Sequence, residues 1–143
     1  MGQAQQALER TDIGILIIDD DADFLEIVKT GFEGVGFEHV YGSERPVQAI
    51  FGLHDLNPLQ VLFLDTEVPH IRGYDFCRAL RDTGLYDHLA IIGMSDRDDH
   101  DLPSKWRAAG ADRFYQKKRL HGISQREAAV KNVLEHRGYQ LNF

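Results

Sequence analysis

The chain has 143 residues, 16 Lys+Arg against 23 Asp+Glu, a formal net charge of −7, and 43% apolar and 27% charged residues. That size suits one domain burying about 68% of its unfolded surface, and the composition excludes a disordered chain. The acidic balance, without any Lys/Arg block, speaks against a nucleic-acid surface, and the lone Cys77 excludes an intramolecular disulfide and a Cys-based zinc site.

Residues 1–12 are rich in Gln and Ala and are expected to form an extension with an extra helix. Gln6 stands where N-myristoylation after Met1-Gly2 would need Ser or Thr, and no secretory leader opens the chain. With a single cysteine, this fits the cytoplasm. The longest apolar run, Ile13 to Ile18, contains Gly14 and is far too short to span a bilayer, so no membrane association is expected.

That run reads as a first strand, followed by Glu38–Tyr41, Val61–Leu64, Ala90–Met94 and Arg113–Gln116. The first and third are continuously apolar, as strands covered on both faces of a parallel sheet are. Helical stripes alternate with them: Phe24, Ile27, Val28 and Phe32; Pro46, Val47, Ile50 and Phe51; Phe76, Cys77 and Leu80; and Trp106 with Ala109 behind Pro103. The last helix carries a capping-box pattern from Ser124 to Glu127, a stripe of Val130, Val133 and Leu134, and a stop at Gly138. Five βα units predict an α/β doubly wound sheet over residues 13–137, leaving 138–143 as a tail.

In an open parallel sheet, ligands bind at the carboxyl ends of the strands. Asp19-Asp20 stand at the end of the first strand, Asp65 at the third, Ser95 at the fourth and Lys117 at the fifth. Three converging carboxylates repel one another unless a cation joins them, and a hard divalent ion such as Mg2+ suits oxygen ligands. A hydroxyl and an ammonium facing that ion are suited to the oxygens of a phosphoryl group.

These residues sit in the runs Ile15-Leu-Ile-Ile-Asp19-Asp20-Asp21, Val61-Leu-Phe-Leu-Asp65-Thr-Glu-Val-Pro69-His-Ile-Arg-Gly73, Ile91-Ile-Gly-Met-Ser95 and Gly110-Ala-Asp-Arg-Phe-Tyr-Gln-Lys117. In order and spacing, the chain resembles the response regulator receiver domain of bacterial two-component systems over residues 13–137. The resemblance implies a CheY-like, flavodoxin-like sheet of order 2-1-3-4-5 flanked by five helices. It makes Asp65 the phosphoacceptor, places Mg2+ on Asp19, Asp20, Asp65 and the Glu67 backbone carbonyl, and sets Ser95 and Lys117 on the phosphoryl oxygens. Phe114 becomes a switch aromatic that turns inward on phosphorylation. The implied partners are a sensor histidine kinase or phosphotransfer protein and a downstream protein at the face of helix 4, strand 5 and helix 5, with homodimerisation left open. No separate substrate turnover is implied.

Three departures stand out. Asp96 occupies a position where the family keeps Ala or Gly; facing a phosphoryl group about 6 Å away, its charge would cost about 3 kcal/mol at an effective dielectric of about 20, and little if it points to solvent, which is the expectation. Lys118 replaces the Pro that usually follows the Lys, predicting a trans bond and a differently aimed Lys117. Glu67 and Arg97 flank the mouth and are expected to pair as a gate. The window Asp96, Asp98, Asp99 and Asp101 reads as a solvated loop rather than a second metal site, and Asp19–Asp23 lacks the Gly and Glu that a Ca2+ loop needs. The seven His show no ligand spacing and read as surface residues. Two other functions fit less well: a phosphorylation-independent pseudo-receiver, and an Asp-nucleophile phosphatase, whose motif order Leu64-Asp65-Thr-Glu67-Val imitates imperfectly.

Overall fold

The computed structural model describes residues 6–143, apart from the side chains of Ile50, Phe51 and His54. Five parallel strands, β1 (Gly14–Ile18), β2 (His39–Ser43), β3 (Val61–Asp65), β4 (Ala90–Ser95) and β5 (Arg113–Gln116), lie in the order β2-β1-β3-β4-β5. Helices α1 (Ala22–Gly34), α2 (Pro46–Gly52), α3 (Gly73–Asp82), α4 (Leu102–Ala108) and α5 (Ile123–His136) alternate with them. This is the expected flavodoxin-like architecture. Two core layers result: one holds Ile13, Ile15, Ile17, Phe32, Phe63, Val130 and Val133, the other Leu16, Ile18, Leu62, Leu64, Phe76, Leu80 and Trp106. The alternation of β1 side chains between the layers follows from the two-residue strand period. Among the described residues, no helix is long and apolar enough to cross a membrane.

Register fixes the site. Leu64 pairs with Ile18 on one side and with Gly93 on the other, so Asp19, Asp65 and Ser95 leave the sheet at the same edge. After β3, a two-residue antiparallel pairing joins Glu67–Val68 to Ile71–Arg72 through Pro69 and His70, and His70 takes the left-handed conformation (φ 73°) that the third position of such a turn demands. Gly110 (φ 96°) closes α4, and Gly138 (φ 93°) closes α5 as expected.

Several local expectations are corrected. Ile27 is 59% exposed: α1 packs through Val28 and Phe32 with Phe24 and Leu25 at the border, and position 27 lies outside that arc. Val47 is likewise exposed, whereas Pro46 is buried; the side chains of Ile50 and Phe51 lie outside the described set. The Ser124–Glu127 capping box does not form. Gly122 is the N-cap, without a side-chain bond, and Glu127 turns instead to Arg10 at 2.7 Å. Of the N-terminal segment, the described residues 6–12 hold a 3₁₀ turn over Arg10–Asp12; the expected extra helix falls partly on residues 1–5, which lie outside the described residues. Leu8 forms a parallel bridge to Leu141, and Phe143 packs edge-on against Phe37 with the Arg10 guanidinium over its ring. Residues 8–10 and 141–143 therefore close the core on the side of α1 and α5.

Candidate metal and phosphoryl site

The acidic window after β1 divides by role. Asp21 caps α1, its carboxylate accepting from the Asp23 and Phe24 N–H groups, as Asp does at a helix start. Asp19 is wholly buried and Asp20 exposed beside it. Asp19 Oδ1 accepts the Asp21 N–H at 2.9 Å. Its Oδ2 lies 2.6 Å from Lys117 Nζ, an ion-pair distance, yet has no aligned hydrogen-bond donor. A buried carboxylate oxygen held only by an ammonium contact is one that a cation could also claim. One oxygen each from Asp19, Asp20 and Asp65 fall within 4.8 Å of one another, the only such cluster among the described residues. All-oxygen donors of this number fit a hard divalent cation that keeps several waters.

Asp65, at the end of β3, is buried, and its carboxyl is pushed up to about 7, first by burial, then by the charge of Asp19, against the pull of Lys117. Asp19 is also raised, chiefly by burial. Both shifts describe carboxylates short of positive charge. Lys117 Nζ is 3.5 Å from Asp65; burial works against its charge, but pairing with Asp19 and the field of Asp65 hold it above its ordinary value. Ser95, buried at the end of β4, accepts the Arg97 N–H at 2.9 Å and keeps its own proton for donation. Donors and carboxylates thus converge on the edge of three adjacent strands.

Comparison with known proteins agrees with this geometry. The sequence profile of the response regulator receiver domain matches residues 15–126. The chain belongs to the response regulator receiver family. It is 38% identical over 103 residues to the DNA-binding response regulator MtrA of Mycobacterium tuberculosis, covering 72% of this chain and 43% of MtrA. It is 29% identical over 100 residues to protein RcaC of Microchaete diplosiphon, covering 70% of this chain but 15% of RcaC. The receiver domain thus spans less than half the length of these curated bacterial relatives. Among solved structures, the signal receiver domain of a DNA-binding response regulator from Colwellia psychrerythraea 34H is similar at 25% identity and TM-score 0.76, covering 87% of this chain and 99% of that one. The chemotaxis response regulator CheY4 of Vibrio cholerae shares the fold at TM-score 0.74 and 17% identity, covering 90% and 100%.

Within this receiver domain, the expected gate does not form. Glu67 pairs with Arg72, its partner across the small hairpin, and Arg97 pairs with Asp99 at 3.0 Å. Each charge takes the opposite charge that its own hairpin or loop sets beside it. Asp96 is 79% exposed, as expected, although one oxygen remains 3.7 Å from Lys117. Asp98 bonds Gln116 and Asp101 pairs with Lys105, so that window is a solvated loop of surface pairs. The Lys117–Lys118 bond is trans, but Lys117 is not aimed elsewhere: a 3₁₀ turn over Lys117–Leu120 starts at this residue and directs its ammonium inward. Phe114 is half-buried on β5. His70, His88, His100, His121 and His136 are exposed and His39 is partly so; the His54 side chain is outside the described set.

Two neighbours escaped sequence reasoning. Phe24, read only as part of an apolar stripe, places its ring 4.5 Å from Lys117 Nζ, a cation–π contact at the edge of the site. Trp106 is fully buried and donates its indole N–H to Thr66 Oγ1 at 3.1 Å, directly beside Asp65. The one signal for it was Gly93 inside an otherwise apolar strand, a common mark of something large pressed on the backbone.

Proposed function

We propose that this receiver domain accepts a phosphoryl group on Asp65 from the phosphohistidine of a sensor kinase or phosphotransfer protein, in a Mg2+-dependent step. The observation that carries the reading is the cluster of Asp19, Asp20 and Asp65 oxygens within 4.8 Å, with Lys117 on the same edge. Transfer breaks the P–N bond of the donor and forms a P–O bond to an Asp65 oxygen, returning the electron pair to the imidazole. Asp19, Asp20 and Asp65, with the Glu67 carbonyl, would hold the cation. When bound, Mg2+ would supply positive charge to the transferring oxygens.

The chain's own groups do the rest. Asp65 must be ionised to attack, and the positive field of Lys117 favours that form. Lys117 balances the charge developing on the phosphoryl oxygens, and the Ser95 hydroxyl donates to one of them. Burial of Asp65 and Ser95 limits the approach of water to the acyl phosphate. The added charge then draws Ser95 toward Asp65 and reshapes the α4–β5–α5 face, where a downstream protein would bind. Asp96 reaches the ammonium from solvent and would moderate, not block, the reaction.

The test is intact mass after incubation with a small acyl phosphate and Mg2+. A gain of about 80 Da is expected, abolished by Asp65→Asn and by chelation. No adduct, under conditions that label a control receiver, would instead support a phosphorylation-independent interaction module.

A further inference from the structure

The expectation for Phe114 is that it turns into the interior when Asp65 is phosphorylated. The interior it would enter holds another ring. Trp106, fully buried on α4, lies flat against β4: a Cβ built on Gly93 would stand 2.4 Å from the indole, and one on Gly73 would stand 2.9 Å from its far edge. Two glycines therefore hollow out the indole's seat. Gly93 is also the residue paired with Phe114 across the sheet. Phe114 rests on the indole from outside, with ring centroids 6.4 Å apart and planes at 26°. Tyr74 meets the indole edge-on at 6.1 Å. Beside the two rings lies a cavity of about 310 Å³, lined by Pro103, Trp106, Arg107, Ala111 and Phe114.

The indole is also hooked to the site. Its N–H donates to Thr66 Oγ1 at 3.1 Å, and that hydroxyl donates to the Met94 carbonyl at 2.7 Å, which also accepts the Thr66 N–H at 2.9 Å. Thr66 follows Asp65, and Met94 precedes Ser95. One buried group of bonds thus joins the neighbours of Asp65 and Ser95 to a single side chain on α4.

We propose that Trp106 is the coupling residue of this receiver: a displacement at Asp65 and Ser95 reaches the α4–β5 face through the Thr66–Trp106 hydrogen bond and the Trp106–Phe114 stack, the two rings shifting together toward the cavity beside them. Phe114 does not exchange into the interior. Trp106 is a positioning residue, since it touches no reacting atom. The inference rests on phosphoryl acceptance at Asp65, and its test separates the two.

Trp106 is the chain's only tryptophan, so its emission reports this side chain alone. The full chain is titrated with beryllofluoride and Mg2+, with ¹⁹F NMR following adduct formation and fluorescence following Trp106. Adduct formation is expected to change the emission of the wild type. Thr66→Val, which keeps the shape and removes the hydroxyl, should still form the adduct but lose at least about threefold of the emission change, because the indole N–H then has no partner. Thr66→Ser, which restores the hydroxyl, should recover the change and guards against a folding defect in the valine variant. An equal emission change in wild type and Thr66→Val, or an adduct with no change in the wild type, overturns the coupling role alone. Absence of any ¹⁹F adduct overturns the phosphoryl reading and the coupling role with it.

Discussion

Lys117 Nζ lies 2.6 Å from Asp19 and 3.5 Å from Asp65, so the buried ammonium sits nearer the proposed cation ligand than the proposed phosphoacceptor. It occupies electrostatically the place a divalent ion would take, and a bound ion must compete with it. Asp19 Oδ2, buried and without an aligned donor, is the atom for which they compete.

Lys117→Gln should therefore tighten Mg2+ binding by roughly tenfold, or about 1.4 kcal/mol, while slowing phosphorylation by a similar factor or more. Isothermal titration gives the first quantity and a time course of intact mass the second. Unchanged Mg2+ affinity would mean that the ammonium and the ion do not share Asp19.

Asp65, together with Asp19, makes the stability of the metal-free protein depend on pH. In the unfolded chain the Asp65 carboxyl loses a proton near 3.8, whereas the folded protein holds it up to about 7. Between those values the folded state binds more protons, so stability is greatest below the window, falls as pH rises through it and levels above it. The full span corresponds to about 4 kcal/mol. Urea unfolding in chelator should show this slope, and Asp65→Asn should flatten it to what the raised Asp19 carboxyl contributes and leave the protein more stable than wild type at about pH 8. A wild-type curve that rises across the same range would contradict the assignment.

The seat of Trp106 can be probed through stability. Gly93→Ala brings a methyl to 2.4 Å from the indole and should cost about 1–3 kcal/mol by urea midpoint. Gly34→Ala, in the last turn of α1 with nothing within 4 Å, should be neutral or gain up to about 1 kcal/mol.

Asp112, just before β5, accepts from Arg81 at 3.0 Å, from Arg137 at 2.8 and 3.1 Å, and from the Ile91 N–H at 2.8 Å. It ties α3, β4 and the end of α5 together with little exposure. Asp112→Ala leaves two half-buried guanidinium groups facing each other and should cost about 2–4 kcal/mol in thermal or urea unfolding, while leaving the proposed Asp65 adduct intact. Loss of less than about 0.5 kcal/mol would reduce this cluster to an ordinary surface pair.

What could be read from the chain was what rests on local pattern and on one rule of topology. Short continuous apolar runs such as Ile15–Ile18 and Val61–Leu64, alternating with helical stripes, read as parallel strands covered on both faces, and strands that all run one way end at one edge. Asp19, Asp65, Ser95 and Lys117 follow those strand ends, so their convergence was legible before any distance was known. Periodicity alone misplaced Ile27, because three and four residues along a helix both count as one face until a neighbour chooses between them. The Ser124–Glu127 pattern failed for a similar reason: Arg10, remote in sequence, offers Glu127 a charged partner stronger than a backbone N–H.

Partner choice was decided only by the tertiary structure. Glu67 pairs with Arg72 rather than Arg97, Asp112 gathers two arginines from different helices, and Trp106 finds Thr66 through a gap that Gly93 and Gly73 leave open. Charge and hydrogen-bonding capacity are written in the residue types, so the sequence by itself determined that a carboxylate–ammonium edge exists. Which oxygen faces which nitrogen depends on distances of a few ångströms between elements far apart in the chain, and those are set by packing two helical layers against one twisted sheet.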